Sequence, residues 1–152
     1  MPTKNNLIFE RQFLMIYLVY PLCGIEDSVK NIKDAIYLPK EKFEGAKDYV
    51  QYALQVNTEY RYVFIDATVE TAEYCNSLAT NQINLIIPHV SMYEEWKQRA
   101  SDKRERTKSM DDLKYYGHIV DFFAGEIYEI GHGFLNKIQI RDKNDKIEDL
   151  II

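Results

Sequence analysis

Cysteine and excess positive charge are both scarce in this sequence. The 152 residues contain two cysteines, Cys23 and Cys75, which form neither a CxxC pair nor a zinc-binding spacing and therefore indicate no disulfide framework. Two separate free thiols are typical of a reducing compartment, so we expect a cytoplasmic location. The formal net charge of −5 argues against broad binding of nucleic acids through a basic surface.

A long hydrophobic run is missing as well. The apolar stretch FLMIYLVYPL, at 13–22, is far too short to cross a bilayer and is interrupted by Pro21. Residues 1–12 contain no continuous apolar segment of the kind found in a signal peptide. The sequence therefore predicts no membrane association. It also contains no internal repeat, and its length fits a single domain over residues 1–152.

What the sequence does contain is a regular alternation of strand and helix signals. Apolar, β-prone runs stand at 13–20, 35–38, 60–66 and 83–88. Helical patterns lie between and after them, at 26–33, 46–54, 69–79, 91–99 and from 109 onward. Strands that alternate with single helices favour a mostly parallel sheet between two helix layers. The predicted fold is therefore a three-layer α/β/α domain.

Hydroxyl side chains mark three of the helix starts. Thr68 is the predicted N-cap of the helix at 69–79, and Ser109 begins the last helix. Ser91 and Glu94 have the spacing of a capping box. The apolar stripe of the last helix is predicted to consist of Leu113, Tyr116, Val120 and Phe123.

The pattern changes after the Gly-His-Gly at 131–133. KIQIR alternates polar and apolar residues, DKND supplies turn residues, and KIEDLII resumes apolar positions. Residues 135–152 are therefore predicted to form a terminal β extension, either a hairpin or edge strands.

The loops that follow the strands are the expected location of any binding site. In open α/β sheets the ligand lies beyond the carboxyl ends of the strands. The loops at 21–28, 66–68 and 88–91 would then border the site. The fold alone predicts where a site would lie but not which reaction it would perform.

Several motifs, taken in order, resemble those of a known family. They are the strand and turn MIYLVYPLCG, the strand and helix IYL…FEGAKDYVQYAL, the strand YVFID, the strand LIIP, and the helix YEEWKQR before a charged, lid-like stretch. From about Met15 to Phe123 the chain thus resembles the phage-type nucleotide-kinase-like proteins of the P-loop, adenylate-kinase-like class. The resemblance implies a kinase-like fold and a phage source.

The chain departs from that family at the phosphate-binding loop. A working P-loop has the pattern G-x-x-x-x-G-K-[ST], in which backbone N–H groups and the lysine hold the phosphates and the hydroxyl binds Mg²⁺. Here Gly24 and Ser28 are kept, the second glycine and the lysine are missing, and Glu26 and Asp27 add negative charge. We interpret the stretch as a turn that enters a helix N-terminus, where carboxylates are favourable. A phosphate role for Gly24 and Ser28 is the alternative.

Two polar residues follow strands at the expected edge. Asp66 ends the third strand, where a carboxylate of a kinase-like fold holds Mg²⁺ or a substrate hydroxyl. The simpler interpretation is a capping residue beside Thr68. His89 follows Pro88, where an imidazole acts as a general base or, when protonated, binds phosphate. The simpler interpretation is an exposed loop residue.

Arginines in the charged stretch are further candidates. Arg99, Arg104 and Arg106 fall where a kinase lid brings arginines to the transferring phosphates, but the alternating charges of SDKRERTK also describe a solvated helix face. His118 and His132 have no third ligand at a matching spacing, so the sequence predicts no metal site.

Two functions agree with these observations. The first is a pseudoenzyme, a kinase-like protein without catalysis or cofactor that binds a protein partner or a second copy of itself. The alternative is an enzyme or sensor that binds a nucleoside or nucleotide with Mg²⁺. Its site would consist of Asp66, His89 and Arg99 as catalytic residues and Gly24, Ser28 and Arg104 as cofactor-binding residues. A third hypothesis, an acidic decoy for a nucleic-acid site, lacks a long acidic face because positive residues are interspersed throughout.

Overall fold

One five-stranded sheet organises the molecule. The computed structural model describes residues 14–134 and 136–151. The strands are β1 (Met15–Val19), β2 (Ala35–Leu38), β3 (Tyr62–Asp66), β4 (Ile83–Pro88) and β5 (Lys137–Ile140). Their order is β2-β3-β1-β4-β5, and every neighbouring pair is parallel. The sheet lies between helix layers, so the predicted three-layer α/β/α architecture is confirmed.

Helices connect each strand to the next. They are α1 (Ile25–Ser28), α2 (Ala46–Val56), α3 (Val69–Ser77), α4 (Tyr93–Thr107), α5 (Met110–Gly131) and α6 (Ile147–Leu150), with short 3-10 turns at Val29–Asn31, Lys40–Lys42 and Val90–Met92. α2 packs beside α3 and α3 beside α5, whereas α1 contacts α6. α4 and α5 pack against each other and together connect β4 to β5. In the described ranges, no helix combines the length and the apolar character needed to cross a membrane.

Two neighbouring strands, β1 and β4, are almost entirely buried. Residues 16–20 and all of β4 are buried. Parallel strands covered by helices on both sides need apolar side chains on both faces, which explains the continuous apolar runs in the sequence. Burial of each Leu, Ile or Val in them stabilises the fold by about 1.5–3 kcal/mol. Position 13, which we assigned to the first strand, lies outside the described residues.

The carboxyl ends of the strands meet at one edge of the sheet. Val19 of β1 pairs with Asp66 of β3, and Pro88 of β4 pairs with Ile140 of β5. The chain leaves β1 towards β2 on one side and leaves β4 towards β5 on the other, although β1 and β4 are neighbours. A crevice between these diverging connections is where an α/β sheet of this kind binds its ligand.

Two of the predicted helix caps are confirmed. The Thr71 N–H donates to the Thr68 hydroxyl at 3.1 Å, and the Asp112 N–H donates to the Ser109 hydroxyl at 3.0 Å. Each hydroxyl thereby satisfies a backbone donor that has no partner within its own helix.

The predicted capping box of Ser91 and Glu94 is wrong. His89 provides the cap instead, because its Nδ1 accepts the Ser91 N–H at 3.1 Å and starts the 3-10 turn Val90–Met92. α4 begins only after this turn, at Tyr93, so Ser91 precedes the helix.

The predicted apolar stripe of α5 is correct only in part. Phe123 is buried, but Leu113 and Val120 are exposed. The buried face of α5 is rotated from the predicted one because this helix packs on the sheet as well as on α4. It consists of Ile119, Phe123, Ile127 and Ile130.

Over its described residues, 136–151, the C-terminal extension contains one edge strand and no hairpin. β5 pairs with β4, and the segment expected to form a second strand is the one-turn helix α6, whose Ile147 is buried. Asp145 holds the turn between them, since its carboxylate accepts the backbone N–H groups of Arg141 at 3.0 Å and Asp142 at 3.1 Å. Positions 135 and 152, and residues 1–12 with their predicted lack of a signal peptide, lie outside the described residues.

Candidate functional site

The loop after β1 lies at the centre of the carboxyl edge. It runs through Pro21 and turns sharply because Leu22 and Gly24 have positive φ angles, 67° and 77°. Glycine adopts such angles freely, whereas a leucine there costs about 1–2 kcal/mol and must be held by its surroundings. The carbonyls of Pro21 and Leu22 both accept hydrogen bonds from α4.

Trp96 and Arg99 of α4 make those hydrogen bonds. The Trp96 indole N–H donates to the Pro21 carbonyl at 2.8 Å, and Arg99 Nη1 donates to the Leu22 carbonyl at 2.7 Å. Arg99 Nη2 also donates to the Lys143 carbonyl at 3.2 Å. The guanidinium stacks 4.3 Å from the centroid of the Trp96 ring. Arg99 therefore ties α4 to the loops after β1 and β5 at the same time.

A third contact to this region comes from α5. The Tyr20 hydroxyl donates to Glu126 Oε1 at 2.6 Å, and Glu126 Oε2 lies 2.6 Å from His118 Nε2. Burial, together with Tyr115 and Glu126, raises the pKa of Tyr20, so its phenol stays protonated and acts as the donor. The Tyr115 hydroxyl is also buried, and it makes no hydrogen bond of ordinary geometry within the described residues.

We call Trp96, Arg99 and Glu126 the loop clamps, because together they fix the path of residues 20–24. A phosphate-binding loop presents successive backbone N–H groups to the anion. This loop instead directs two carbonyls to α4 and passes at once into α1, where the Ser28 N–H donates to the Gly24 carbonyl at 3.0 Å. Gly24 and Ser28 thus close one helical turn, and Ser28 is buried.

Asp66 belongs to a second cluster, at the ends of β2 and β3. Its carboxylate accepts the Tyr37 hydroxyl at 2.6 Å and the Lys40 backbone N–H at 2.9 Å. Its own N–H donates to the Tyr49 hydroxyl at 2.7 Å, and that hydroxyl donates to the Leu38 carbonyl. Burial raises the pKa of Asp66, although the hydrogen bonds from Tyr37 and Lys40 act in the opposite direction. Burial likewise raises the pKa of Tyr37 and Tyr49.

An open cleft of about 410 Å³ adjoins this cluster. It is lined by Lys40, Tyr49 and the segments 43–46 and 68–71, which contain the starts of α2 and α3. The rings of Phe43 and Tyr49 lie 4.8 Å apart. Aromatic rings, hydroxyls, one lysine and the carboxylates of Glu44 and Glu70 form a mixed polar and apolar lining, as in sites for small polar ligands.

The structure does not bring Asp66, His89 and Arg99 together around one point. Asp66 is the last residue of β3 and His89 follows β4, with β1 between the two strands, so at about 4.8 Å per strand they are about 10 Å apart along the edge. The His89 imidazole is engaged in its cap, with Nδ1 2.8 Å from the Ser91 hydroxyl. Arg99 is engaged by the loops that it clamps.

The charged stretch around Arg104 is helical. SDKRERT forms the second half of α4, which ends at Thr107. The Arg104 guanidinium lies 4.6 Å from the centroid of the Tyr116 ring on α5, and Arg104 borders an open groove of about 270 Å³ at the α4–α5 corner. Arg106 is exposed on the same helix. The segment is thus exposed at Asp102, Glu105 and Arg106 and half-buried at Ser101, Lys103 and Arg104.

The two histidines of the rejected metal pair have other partners. His118 pairs with Glu126, and His132 Nδ1 lies 2.9 Å from the Glu129 carbonyl. Within 14–134 and 136–151, no group of three or more His, Cys, Asp or Glu side chains could hold a metal ion.

Sequence reasoning missed Tyr20, Trp96 and Glu126. A signal existed for Glu126, since it is a charged residue on the otherwise apolar buried face of α5 and such a residue needs a partner. A signal also existed for Tyr20, because it directly follows a buried strand and a buried phenol needs a hydrogen-bond acceptor. Comparisons of this chain with protein-family models, with curated proteins and with solved structures found no match.

Proposed function

We propose that this chain is a non-catalytic protein with a nucleotide-kinase-like fold that acts by binding a protein partner. The observation that carries the proposal is that the loop clamps hold the loop after β1. Phosphoryl transfer requires backbone N–H groups and cations that face the phosphates at that loop. Here Trp96 and Arg99 bind its carbonyls, while Glu126 binds Tyr20. The free, buried cysteines support the cytoplasmic location that we propose for it.

The partner-binding part of the proposal rests on α5. Of the seven large hydrophobic side chains that are exposed among the described residues, five belong to this helix. Exposed apolar groups gathered on one element are typical of an interaction surface. We call these five side chains, which lie on more than one face of the helix, the α5 surface: Met110, Leu113, Val120, Phe122 and Tyr128.

Affinity capture with matched variants tests the proposal. Phe122 is 60% exposed on α5, and Val90, at 47%, is an exposed apolar residue outside it. We expect a protein captured by the wild type to be lost, by roughly tenfold or more, in Phe122→Ser and retained in Val90→Ser. Equal capture by all three proteins contradicts the role of α5. ATP turnover that disappears in Asp66→Asn contradicts the non-catalytic part.

The cleft beside Asp66 favours a second function, binding of a nucleoside or nucleotide. Its volume of about 410 Å³ is within the range of small-molecule sites, roughly 300–1,000 Å³. Lys40 would face the phosphate, and Phe43 with Tyr49 would contact the base. Mg²⁺ would be the accompanying cofactor under this proposal.

Thermal unfolding distinguishes the two functions. A ligand present at a hundred times its dissociation constant stabilises the folded state by about 2.7 kcal/mol, which is a shift of several degrees. The second function predicts such a shift with one common nucleotide or nucleoside monophosphate, with or without Mg²⁺. It should be lost in Lys40→Gln and kept in Lys47→Gln, an exposed lysine of α2 outside the cleft. No shift with any of these ligands favours the first function.

A further inference from the structure

The outward face of α5 contains a pattern that the fold of one chain does not use. Six residues recur along the helix at alternating intervals of four and three, which places them in one stripe. We call this stripe the α5 seam. It consists of Met110, Lys114, Gly117, Asp121, Ala124 and Tyr128. Met110 and Tyr128, at its two ends, are 64% and 71% exposed and are the most exposed large hydrophobic residues among those described.

Gly117 lies near the middle of the seam without a packing reason inside the chain. Glycine in a helix interior destabilises the helix relative to alanine. Apart from the backbone of its own helix, a Cβ added at Gly117 would meet no atom of the described residues within 4 Å. A glycine on an open helix face does, however, allow a second backbone to approach closely.

We propose that the α5 seam pairs in antiparallel orientation with the seam of a second copy of this chain. The inference rests on the proposed function and deepens it, since it names a second copy as a partner of the α5 surface. The seam is symmetric about position 119, as a two-fold interface requires. Met110 then lies opposite Tyr128 of the second copy, a favourable thioether–aromatic contact, and this contact forms twice.

Charge complementarity selects the antiparallel orientation. Lys114 and Asp121 are exposed, and neither forms an ion pair in the part of the chain that the structure describes. In the antiparallel pair, Lys114 of one copy lies within one helical turn of Asp121 of the other, and this contact occurs once on each side of the two-fold axis. A parallel pair in register would place Lys114 against Lys114 and Asp121 against Asp121, which is repulsive.

The dimer is expected to be weak. A contact one helix wide buries less than the roughly 1,200–2,000 Å² of a standard interface, so its population depends on concentration in the micromolar to millimolar range. Gly117 is one of the two seam residues nearest the two-fold axis and has no side chain, which leaves room for the Asp121 side chain of the second copy opposite it.

Sedimentation equilibrium of the full chain across this range tests the seam by charge reversal. We expect Lys114→Glu and Asp121→Lys each to raise the dimer dissociation constant roughly tenfold or more, because like charges replace two attractive contacts. The double variant Lys114→Glu/Asp121→Lys restores opposite charges and should restore dimerisation. Lys47→Glu, on α2, changes the net charge by the same amount as Lys114→Glu and should dimerise as the wild type does.

The opposite results overturn the inference. They are a wild type that stays monomeric throughout, a dimer that tolerates either single reversal, or a double variant that remains as weak as the single ones. None of them affects the capture experiment, because Phe122 lies outside the seam. A dimer that behaves as expected beside unchanged capture by Phe122→Ser leaves the seam standing and contradicts only the wider proposed function.

Discussion

At the scale of single residues, Arg99 shows how an arginine in a lid-like sequence can be engaged by contacts within its own fold. Its planar group has five donors in a fixed geometry, and it reaches the Leu22 and Lys143 carbonyls and the Glu95 carboxylate, the last at 3.3 Å. It also covers the face of Trp96. A lysine has one point charge on a flexible stem and cannot make these contacts together.

Replacement of Arg99 by lysine should therefore weaken the fold. We expect Arg99→Lys to lower the free energy of unfolding by about 1–2 kcal/mol, since at least one partly buried carbonyl loses its donor. Urea denaturation measures the change. Arg106→Lys, on the exposed part of the same helix, should stay within about 0.5 kcal/mol of the wild type. An equal loss of unfolding free energy in both variants would contradict the role of Arg99 as a loop clamp.

Cys23 provides a chemical test of the same loop. Burial raises the pKa of the Cys23 thiol, and it raises the pKa of Cys75 to about 12, so little thiolate exists at pH 8. We expect the native protein to react with an aromatic disulfide reagent far more slowly than the unfolded chain. In a Cys75→Ala background, Arg99→Lys should accelerate the reaction of Cys23. An unchanged rate would mean that the loop stays closed without Arg99.

Asp66 should leave a signature in the pH dependence of stability. Because burial raises its pKa above the usual 3.8, the folded state binds this proton more tightly than the unfolded chain does. The contribution of Asp66 to the unfolding free energy is therefore largest at low pH and falls as pH rises through a window that begins near 3.8. The difference between wild type and Asp66→Asn, from denaturation at a series of pH values, should decline across that window. A difference that rises there contradicts the assignment.

At the scale of elements, the predictions succeeded where the signal is local. The strands at 35–38 and 83–88 match β2 and β4 residue for residue, because buried parallel strands are short apolar runs that turn residues terminate. The caps at Thr68 and Ser109 need only neighbouring residues, and they are confirmed. A 3-10 turn formed where we expected the capping box, and a one-turn helix formed where we expected the second strand of a hairpin. In neither place does the local sequence distinguish the observed structure from the predicted one.

Alanine substitutions at two glycines with open surroundings should change stability in opposite directions. Beyond the neighbouring residues and the helix's own backbone, no atom in the described part of the chain lies within 4 Å of a Cβ added at Gly125, inside α5, or at Gly24, before α1. Of the two, only Gly24 has a positive φ, 77°. We expect Gly125→Ala to raise the free energy of unfolding by about 0.5–1 kcal/mol through helix propensity. Gly24→Ala should lower it by about 1 kcal/mol because alanine is strained there. Thermal or urea unfolding measures both, and changes of the same sign would contradict the assigned backbone conformations.

At the scale of the whole molecule, the contacts that define the site join distant parts of the chain. Trp96 and Pro21 are 75 residues apart, and Tyr20 and Glu126 are 106 apart. No periodicity or spacing in a single sequence encodes such pairs. The sequence could therefore predict that the site lies at the carboxyl edge of the sheet, but not which side chains meet there. Both helices of the connection from β4 to β5, α4 and α5, hydrogen-bond to the chain that leaves the neighbouring strand β1.

Titration with Mg²⁺ and ATP, followed by NMR, tests these contacts most directly. The amide resonances of Gly24–Ser28 and the indole N–H of Trp96 report on the loop and on its clamp. If the loop is closed by Trp96, Arg99 and Glu126, these resonances should stay unchanged up to millimolar nucleotide. Saturable shifts of the Gly24–Ser28 amides, with release of the Trp96 hydrogen bond, would show an anion bound at the loop and would contradict the account.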